Sequence, residues 1–199
     1  MGAVASRANM SSELFDAANA VFSGVRGALA AATIGSCAAF SAICGSSIAT
    51  AATFSKVAIP QMRRYGYDME LATGAVASAG TLGILIPPSL ILVIYSLVAE
   101  EPISKLFAAA MIPGILLAIA YVLVIAILAK LYPEKMPMTP SLPWASRLKA
   151  LLGIWKLALL FVLAVVGIYL GLFSPTEAAA VASFTAVVIG VATRSLGWR

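Results

Sequence analysis

Histidine is absent from this sequence of 199 residues, and acidic residues are scarce, with only eight Asp and Glu in total. The missing histidine excludes a histidine-based catalytic triad, a histidine metal site and a histidine proton relay within the chain. The two cysteines, Cys37 and Cys44, have a spacing that matches no zinc or redox signature. We therefore predict that the chain is not an enzyme, that it needs no cofactor, and that both cysteines are small apolar side chains.

Charge is also scarce, since charged residues make up 11% of the chain and apolar residues make up 62%. A typical soluble domain is about 25% charged and about 45–50% apolar. The composition therefore excludes a soluble globular domain, and it excludes a disordered chain as well. The net charge of +5 does not indicate a nucleic-acid partner, because the basic residues form no dense patch with interleaved aromatic residues.

Long uncharged segments fill the space between the charges. Four of them reach the roughly 20 apolar residues that a membrane-spanning helix needs, and a fifth does so with its flanks. We therefore predict an all-α, polytopic membrane protein that lies in a lipid bilayer. The segments are 27–55, 71–99, 106–129, 157–176 and 178–193.

The first uncharged segment is rich in Ala, Ser, Thr and Gly and poor in Leu. Small residues let helices approach closely, and hydroxyls can line a polar cavity. The apolar stretch around it, from about Val25 to Ile59, is too long for one helix across a core of about 30 Å. We predict a re-entrant helical hairpin at about 25–60, split at Gly45-Ser46-Ser47, with its tip inside the membrane. One long tilted helix and a hairpin that crosses completely are the alternatives.

The second uncharged segment contains the run GTLGILIPPS at 80–89. Pro87 and Pro88 remove two backbone donors and disfavour the helical conformation of the residue before each. We predict a broken helix at about 70–99 that restarts at Ser89. Breaks at membrane depth are where secondary transporters place ions and substrates, although a proline kink with a purely structural role is the alternative.

The later segments look simpler. Residues 106–129 are predicted to form a span, with Pro113-Gly114 as a kink or as a junction after a short interfacial helix at about 103–111. A polar loop follows at 132–149, and then a span at 150–172. A last helix is predicted from about Thr176 to Arg194, with Ser174 as its N-cap and Glu177 in its first turn.

The basic residues agree with one topology. If the loop with Arg63 and Arg64 is cytoplasmic and the hairpin is re-entrant, all the basic residues except Lys105 lie on the cytoplasmic side. That asymmetry is the one expected of a membrane protein.

Several motifs together resemble the large membrane subunit of tripartite ATP-independent periplasmic (TRAP) transporters, the DctM-like permease. The resemblance covers nearly the whole chain, and the motifs occur in the family's order. They are RGALA at 26–30, FSAICGSSIATAA at 40–52, IPQM at 59–62, GYD at 66–68, ATG at 72–74, GTLGILIPPS at 80–89, KLF at 105–107, PG at 113–114 and SPTEAAA at 174–180.

The resemblance implies an ion-transporter-like fold of two inverted repeats, each with a re-entrant hairpin and a broken helix. It implies an elevator motion, driven by sodium as the coupling ion, in the bacterial inner membrane. It also implies two protein partners, a small membrane subunit and a periplasmic binding protein that delivers organic acids such as C4-dicarboxylates or sialic acid.

Family members are about twice as long as this chain, so we expect a partial chain. Residues 1–131 correspond to the end of the first repeat, and residues 150–199 correspond to the start of the second. Cys44 stands where the family usually has Ser, and Ala28 stands where it usually has Gly. Because a complete pathway needs both repeats, we do not expect this chain to transport alone, and an inactive fragment of the permease is an alternative.

Within this resemblance we predict a sodium site between the hairpin tip and the break. Sodium prefers oxygen ligands, which hydroxyls and free backbone carbonyls supply. The predicted ligands are Ser46, Ser47, Thr50, Gly80, Thr81 and Gly83. The substrate anion is expected nearby, at backbone N–H groups of the half-helices. Its predicted contacts are Gly45, Ser46, Ser47, Pro87 and Pro88.

A non-transporting membrane scaffold or assembly subunit is the main competing function. It explains the small residues, which pack helices closely. It does not explain two helix breaks at similar depth.

Overall fold

The computed structural model describes residues 9–193, and within that range the chain is helical and contains no β-strand, as predicted. One isolated antiparallel bridge joins Arg26 to Met138. The helices, in chain order, are α1 (Met10–Phe22), α2 (Ala28–Cys44), α3 (Ser47–Arg64), α4 (Met69–Gly80), α5 (Leu82–Leu85), α6 (Leu90–Ala99), α7 (Ile103–Leu131), α8 (Trp144–Gly153), α9 (Trp155–Phe161), a π-helical segment (Val162–Val166), α10 (Gly167–Tyr169) and α11 (Pro175–Ala192).

Within residues 9–193, two helical stretches are long and apolar enough to cross a membrane. The first is Met69–Ala99, which comprises α4, α5 and α6 and has 31 residues, and the second is α7, with 29 residues. A third stretch joins α8 to Trp155–Val166 through a bend of 43°. The chain is thus an all-α membrane protein in which one of the long spans contains a break.

Helices α2 and α3 form a hairpin. Gly45 ends α2 in the left-handed conformation, with φ of 64°, and Ser46 begins α3 by accepting a hydrogen bond on its side chain from the Ala49 N–H. At the other end of the hairpin, the Tyr67 hydroxyl accepts a hydrogen bond from the Leu29 N–H at 3.3 Å. That contact places the start of α2 beside the end of α3.

The turn between α3 and α4 fixes this base. Tyr67 is buried there, and the Asp68 carboxylate caps α4 by accepting from the N–H groups of Glu70 at 2.9 Å and Leu71 at 3.2 Å. The Leu71 N–H, followed by the Glu70 N–H and the Lys135 ammonium, holds the pKa of Asp68 below its usual value. The GYD motif at 66–68 therefore caps two helices at once.

The second predicted break is present. Helix α4 ends at Gly80, α5 ends at Leu85, and Ile86 is extended, with ψ of 116°. The Pro87–Pro88 peptide bond is cis. Helix α6 restarts at Leu90 with Ser89 as its N-cap.

Two sequence-based boundaries differ from the structure. Of the two roles predicted for Pro113-Gly114, a kink or a junction after a short helix at about 103–111, the junction is wrong, because α7 runs unbroken from Ile103 to Leu131 with Pro113 inside it. Gly114 instead provides room for the break, since a Cβ there would lie 3.1 Å from Ile86 Cγ1. The loop predicted at 132–149 ends early, because α8 already begins at Trp144, directly after Pro143, whose φ of −62° suits a helix start.

The loop at 132–143 packs against the hairpin base. Met136 is fully buried, the Leu142 N–H donates to Ser23 Oγ, and the Arg147 guanidinium donates to the Ser23 carbonyl. This polar, proline-rich segment and the first turn of α8 therefore pack against the connection between α1 and α2.

The last helix begins as predicted. Ser174 caps α11, and the Glu177 side chain completes a capping box. The predicted end at Arg194 lies outside the described residues, as do Arg7 and Arg199 of the predicted topology.

Candidate functional site

The tip of the hairpin lies against the break of the first long span. We call this contact the tip–break junction and define it as residues 44–47 and 80–90. The Leu90 N–H donates to the Gly45 carbonyl at 3.1 Å. A Cβ on Gly45 would run into the Pro88 carbonyl oxygen, so the two backbones touch directly.

A second seam joins the first turn of α3 to the other side of the break. A Cβ on Gly83 would lie 2.8 Å from Ser47 N and 3.0 Å from the carbonyl carbon of Ser46. A Cβ on Gly80 would lie 2.8 Å from the Ala51 methyl. Glycine at 45, 80 and 83 thus allows backbone to approach backbone, and the predicted glycines do meet at one place.

Four helix ends meet at this junction. The C-terminal ends of α2 and α5 carry partial negative charge, and the N-terminal ends of α3 and α6 carry partial positive charge. Residues 44–51 and 79–90 include no Asp, Glu, Lys or Arg. The electrostatics of the junction therefore come from backbone dipoles and hydroxyls, which suit a cation at one pair of ends and an anion at the other.

Two predicted hydroxyls lie at the tip. Ser46 Oγ accepts from the Ala49 N–H at 3.3 Å and keeps its own proton and one lone pair for another partner. Ser47 is the first residue of α3, is half-buried, and its backbone contacts the Gly83 position. Both serines therefore lie at the tip–break junction.

The other two predicted hydroxyls point elsewhere. Thr50 is fully buried, and its hydroxyl lies 3.5 Å from the Ser41 hydroxyl, between the two arms of the hairpin. The Thr81 hydroxyl donates to the Ser78 carbonyl at 2.6 Å and lies 3.0 Å from the Tyr121 hydroxyl on α7. The structure thus does not bring either side chain to the tip.

Sequence reasoning did not single out Ser89, which the structure places at the junction. Ser89 is 1% exposed, and its hydroxyl has no hydrogen-bond partner within residues 9–193. It stands at the start of α6, next to the Leu90 N–H that holds the Gly45 carbonyl. The available signal was its position directly after Pro87-Pro88, where a new half-helix had to begin.

Pro87 and Pro88, predicted as substrate contacts, form the wall of the junction against the tip. Pro87 is buried and Pro88 is half-buried. Neither proline has an N–H to donate, so any anion at this end depends on the N–H groups of the half-helices.

Comparison with known proteins identifies the chain. The family model described as "Tripartite ATP-independent periplasmic transporter, DctM component" matches residues 1–199, the whole chain. The chain belongs to this DctM family. Members of the family are transporter permeases rather than enzymes, as expected from the sequence.

Curated relatives share much of the sequence. The C4-dicarboxylate TRAP transporter large permease protein DctM of Pseudomonas aeruginosa is 44% identical over 186 residues, which is 92% of this chain and 42% of the relative. The sialic acid TRAP transporter permease protein SiaT of Haemophilus influenzae is 32% identical over 95% of this chain and 30% of the relative.

The ectoine TRAP transporter large permease protein TeaC of Halomonas elongata is 31% identical over 94% of this chain and 43% of the relative. The chain thus spans less than half the length of these DctM-family relatives.

Proposed function

We propose that the chain is part of the large permease subunit of a sodium-driven secondary transporter for small organic acids. The observation that carries the proposal is the tip–break junction, in which a hairpin tip rests on a broken span with four helix ends in contact. Such a junction supplies free oxygens and oriented dipoles without any buried charge.

A sodium ion in the junction would bind hydroxyls and backbone carbonyls. The side chains best placed for this are Ser46, Ser47 and Ser89, with carbonyls near Gly80 and Gly83 completing the shell. Ser89 is the strongest addition, because its buried hydroxyl has no other partner in the described part of the chain. A bound cation would satisfy a polar group that is otherwise costly to bury.

An organic acid would bind beside the sodium. The N-terminal ends of α3 and α6 carry partial positive charge, which suits a carboxylate. The relatives' names include C4-dicarboxylate and sialic acid, and both are carboxylates. We infer the same chemical class for the substrate of this chain.

The proposal includes the partners and the location of the relatives' transport systems. A periplasmic binding protein would deliver the substrate, and a small membrane subunit would accompany the permease in the bacterial inner membrane. Because alternating access requires one repeat to move against another, the chain alone is not expected to complete transport.

The re-entrant hairpin is part of the proposal. Its tip contacts Pro88, near the middle of the 31-residue stretch Met69–Ala99, and its two ends meet at Leu29 and Tyr67. In a background with Cys37→Ala and Cys44→Ala, cysteines that replace Arg26 and Arg63 should therefore be labelled by membrane-impermeant reagents from the cytoplasmic face, and a cysteine that replaces Ser46 should be labelled from neither face. Labelling of Ser46→Cys from the periplasmic face would indicate a fully crossing hairpin.

A native thiol allows sodium binding to be measured without transport. Cys44 is half-buried at the tip, whereas Cys37 is buried within α2. In the purified Cys37→Ala chain in lipid nanodiscs, the rate at which a small membrane-permeant maleimide labels Cys44 should fall as sodium replaces potassium at constant ionic strength. The sodium concentration that gives half the protection is the measured quantity.

Variants then locate the ligands. Ser47→Ala and Ser89→Ala should each raise that sodium concentration about tenfold, the size expected when one hydrogen-bonding group on an ion is lost. Ser55→Ala is the matched control, because the Ser55 hydroxyl bonds to the Ala52 carbonyl on the exposed side of α3. Labelling that is equal in sodium and potassium would contradict sodium coupling at this junction.

A further inference from the structure

Tyr121 of α7 reaches the break on a different face from the hairpin. Its hydroxyl lies 3.0 Å from the Thr81 hydroxyl, 40 residues earlier in the chain. Gly80, the last residue of α4, and Gly83, in α5, face α3 instead. The break is therefore held from two directions, by backbone contact with the tip and by a hydroxyl pair with α7.

The direction of the hydrogen bond follows from the partners. The Ser78 carbonyl only accepts, so the single Thr81 hydroxyl proton goes to it, at 2.6 Å. The Tyr121 hydroxyl must then donate its own proton to Thr81. The result is an ordered chain from Tyr121 through Thr81 to the last turn of α4.

Open space lies beside this pair of hydroxyls. A cavity of about 210 Å³ lies between α4 and α7, lined by Gly74, Ser78 and Tyr121 among others. A Cβ on Gly74 would meet no atom within 4 Å. The hydroxyl pair therefore lies at the edge of an open cleft between α4 and α7, while the ring of Tyr121 packs against the core.

Thr81 lies between α4 and α5, one turn before the extended backbone at Ile86. Its φ of −64° and ψ of −21° are helical, and the helix is tightened there, because the Thr81 N–H donates to the Ser78 carbonyl and the Ile84 N–H donates to the Thr81 carbonyl, each at 3.1 Å. A rotation at this residue would shift Gly80 and Gly83 relative to Ser47, since both glycines contact the start of α3. Holding the Thr81 side chain therefore holds the second seam of the tip–break junction.

We propose that Tyr121 is a positioning residue of the ion site: it fixes the break through Thr81 and so keeps the hairpin tip closed. The inference rests on the proposed function for its effect on sodium, but not for its effect on the tip. It assigns the Thr81 hydroxyl a role in orienting the break.

The first experiment measures tip closure without sodium. In the Cys37→Ala chain in potassium, Tyr121→Phe and Thr81→Val should each raise the rate of Cys44 labelling about fivefold, the population change expected from one lost hydrogen bond. Because both variants break the same bond, the double variant should label no faster than the faster single variant. Thr81→Ser keeps the hydroxyl and should restore the slow rate.

The second experiment measures the ion site. The sodium concentration for half-protection of Cys44 should rise by a similar factor in Tyr121→Phe and in Thr81→Val, again without addition in the double variant. Tyr95→Phe, on the 55% exposed Tyr95 of α6, is the matched control for removal of a tyrosine hydroxyl and should leave both readouts unchanged.

The outcomes separate the two ideas. Sodium protection that is absent in the unsubstituted chain would contradict the proposed function, while the basal labelling rates would still decide whether Tyr121 holds the break. Basal rates that do not change in Tyr121→Phe, or effects that add in the double variant, would overturn the positioning role. Non-additive effects with rescue by Thr81→Ser would support it.

Discussion

Replacing Gly83 by alanine tests whether the hairpin tip rests on the break. The new Cβ would lie 2.8 Å from Ser47 N and 3.0 Å from Ser47 Cα, and both are backbone atoms that cannot rotate away. Forcing an extra carbon into a packed contact costs about 1–3 kcal/mol. Alanine also favours the helix by about 1 kcal/mol over glycine, which partly offsets the clash.

Gly74→Ala is the matched control. Gly74 is also a helical glycine, but a Cβ there would meet no atom within 4 Å. The helix term is common to both variants, so the difference between them isolates the clash. We expect Gly83→Ala to be less stable than Gly74→Ala by about 1–3 kcal/mol, with Gly74→Ala slightly more stable than the unsubstituted chain.

Cys37 supplies the assay. Its thiol is 0% exposed, so a fluorogenic maleimide reports unfolding during a thermal ramp when Cys44 is replaced by alanine. The melting temperature of Gly83→Ala should lie about 2–12 °C below that of Gly74→Ala, given about 2–4 °C per kcal/mol for a chain of this size. A melting temperature of Gly83→Ala equal to or above that of Gly74→Ala would refute the contact.

A rescue experiment separates side-chain from backbone contact. Gly80 faces the Ala51 methyl, with 2.8 Å between that carbon and a Cβ on Gly80. Ala51→Gly should therefore make Gly80→Ala tolerable at the tip, as measured by the labelling rate of Cys44. Ala51→Gly should not relieve the clash in Gly83→Ala, because the atoms that crowd Gly83 are backbone atoms of Ser46 and Ser47.

Three further predictions concern the hairpin base and its supports. Tyr67→Phe should destabilise the chain by about 1 kcal/mol through loss of the hydroxyl that accepts from the Leu29 N–H, measured as melting temperature against the exposed Tyr65→Phe. The fold lowers the pKa of Asp68, so the Asp68 cap stabilises the chain fully at pH values above the pKa of Asp68 in the unfolded chain. That stabilisation is lost as the pH falls through the pKa of Asp68 in the folded chain. Asp68→Asn should therefore make the melting temperature depend less on pH on the acid side. Lys156→Met should cost about 1–3 kcal/mol, since Lys156 pairs with Glu13 at 2.7 Å and its loss leaves that partly buried carboxylate unpaired; the loss should be smaller if Glu13→Gln is added.

The fold was largely predictable because its helix breaks occur at residue types that restrict or free the backbone strongly, namely proline and glycine. The Pro87-Pro88 pair removes two donors, and the break lies where the sequence places it. Gly45 adopts the left-handed conformation that ends α2. Ser174 and Glu177 form the predicted capping box.

Other boundaries depended on contacts that a local pattern does not contain. Pro113-Gly114 indicates a kink or a junction, yet α7 continues through both residues, and Gly114 lies against Ile86, 28 residues earlier. The segment before α8 reads as a polar loop, but Met136 within it is fully buried against the hairpin base. In both cases the contact joins residues that are far apart in the sequence.

The candidate site was predictable in its backbone and less so in its side chains. Which face of a helix a hydroxyl occupies depends on where the neighbouring helices lie, and this explains Thr50 and Thr81, which face Ser41 and Tyr121. Ser89 was not singled out as a ligand because a serine after two prolines is an ordinary helix start. Its interest comes from burial without a partner in the described residues, a property of the folded chain.

The tip–break junction requires small size at some positions and a hydroxyl at others. Positions 45, 80 and 83 need small size, because their neighbours are backbone or a methyl group at contact distance. Positions 47 and 89 need a hydroxyl, because the proposed ligand contacts are chemical rather than steric. At positions 47 and 89, alanine fits the space but lacks the hydroxyl. At the three glycines, alanine is too large. Substitution by alanine at all five positions therefore distinguishes closure of the tip from ligation of the ion: changes at 45, 80 and 83 should alter Cys44 labelling without sodium, and changes at 47 and 89 should alter only the response to sodium.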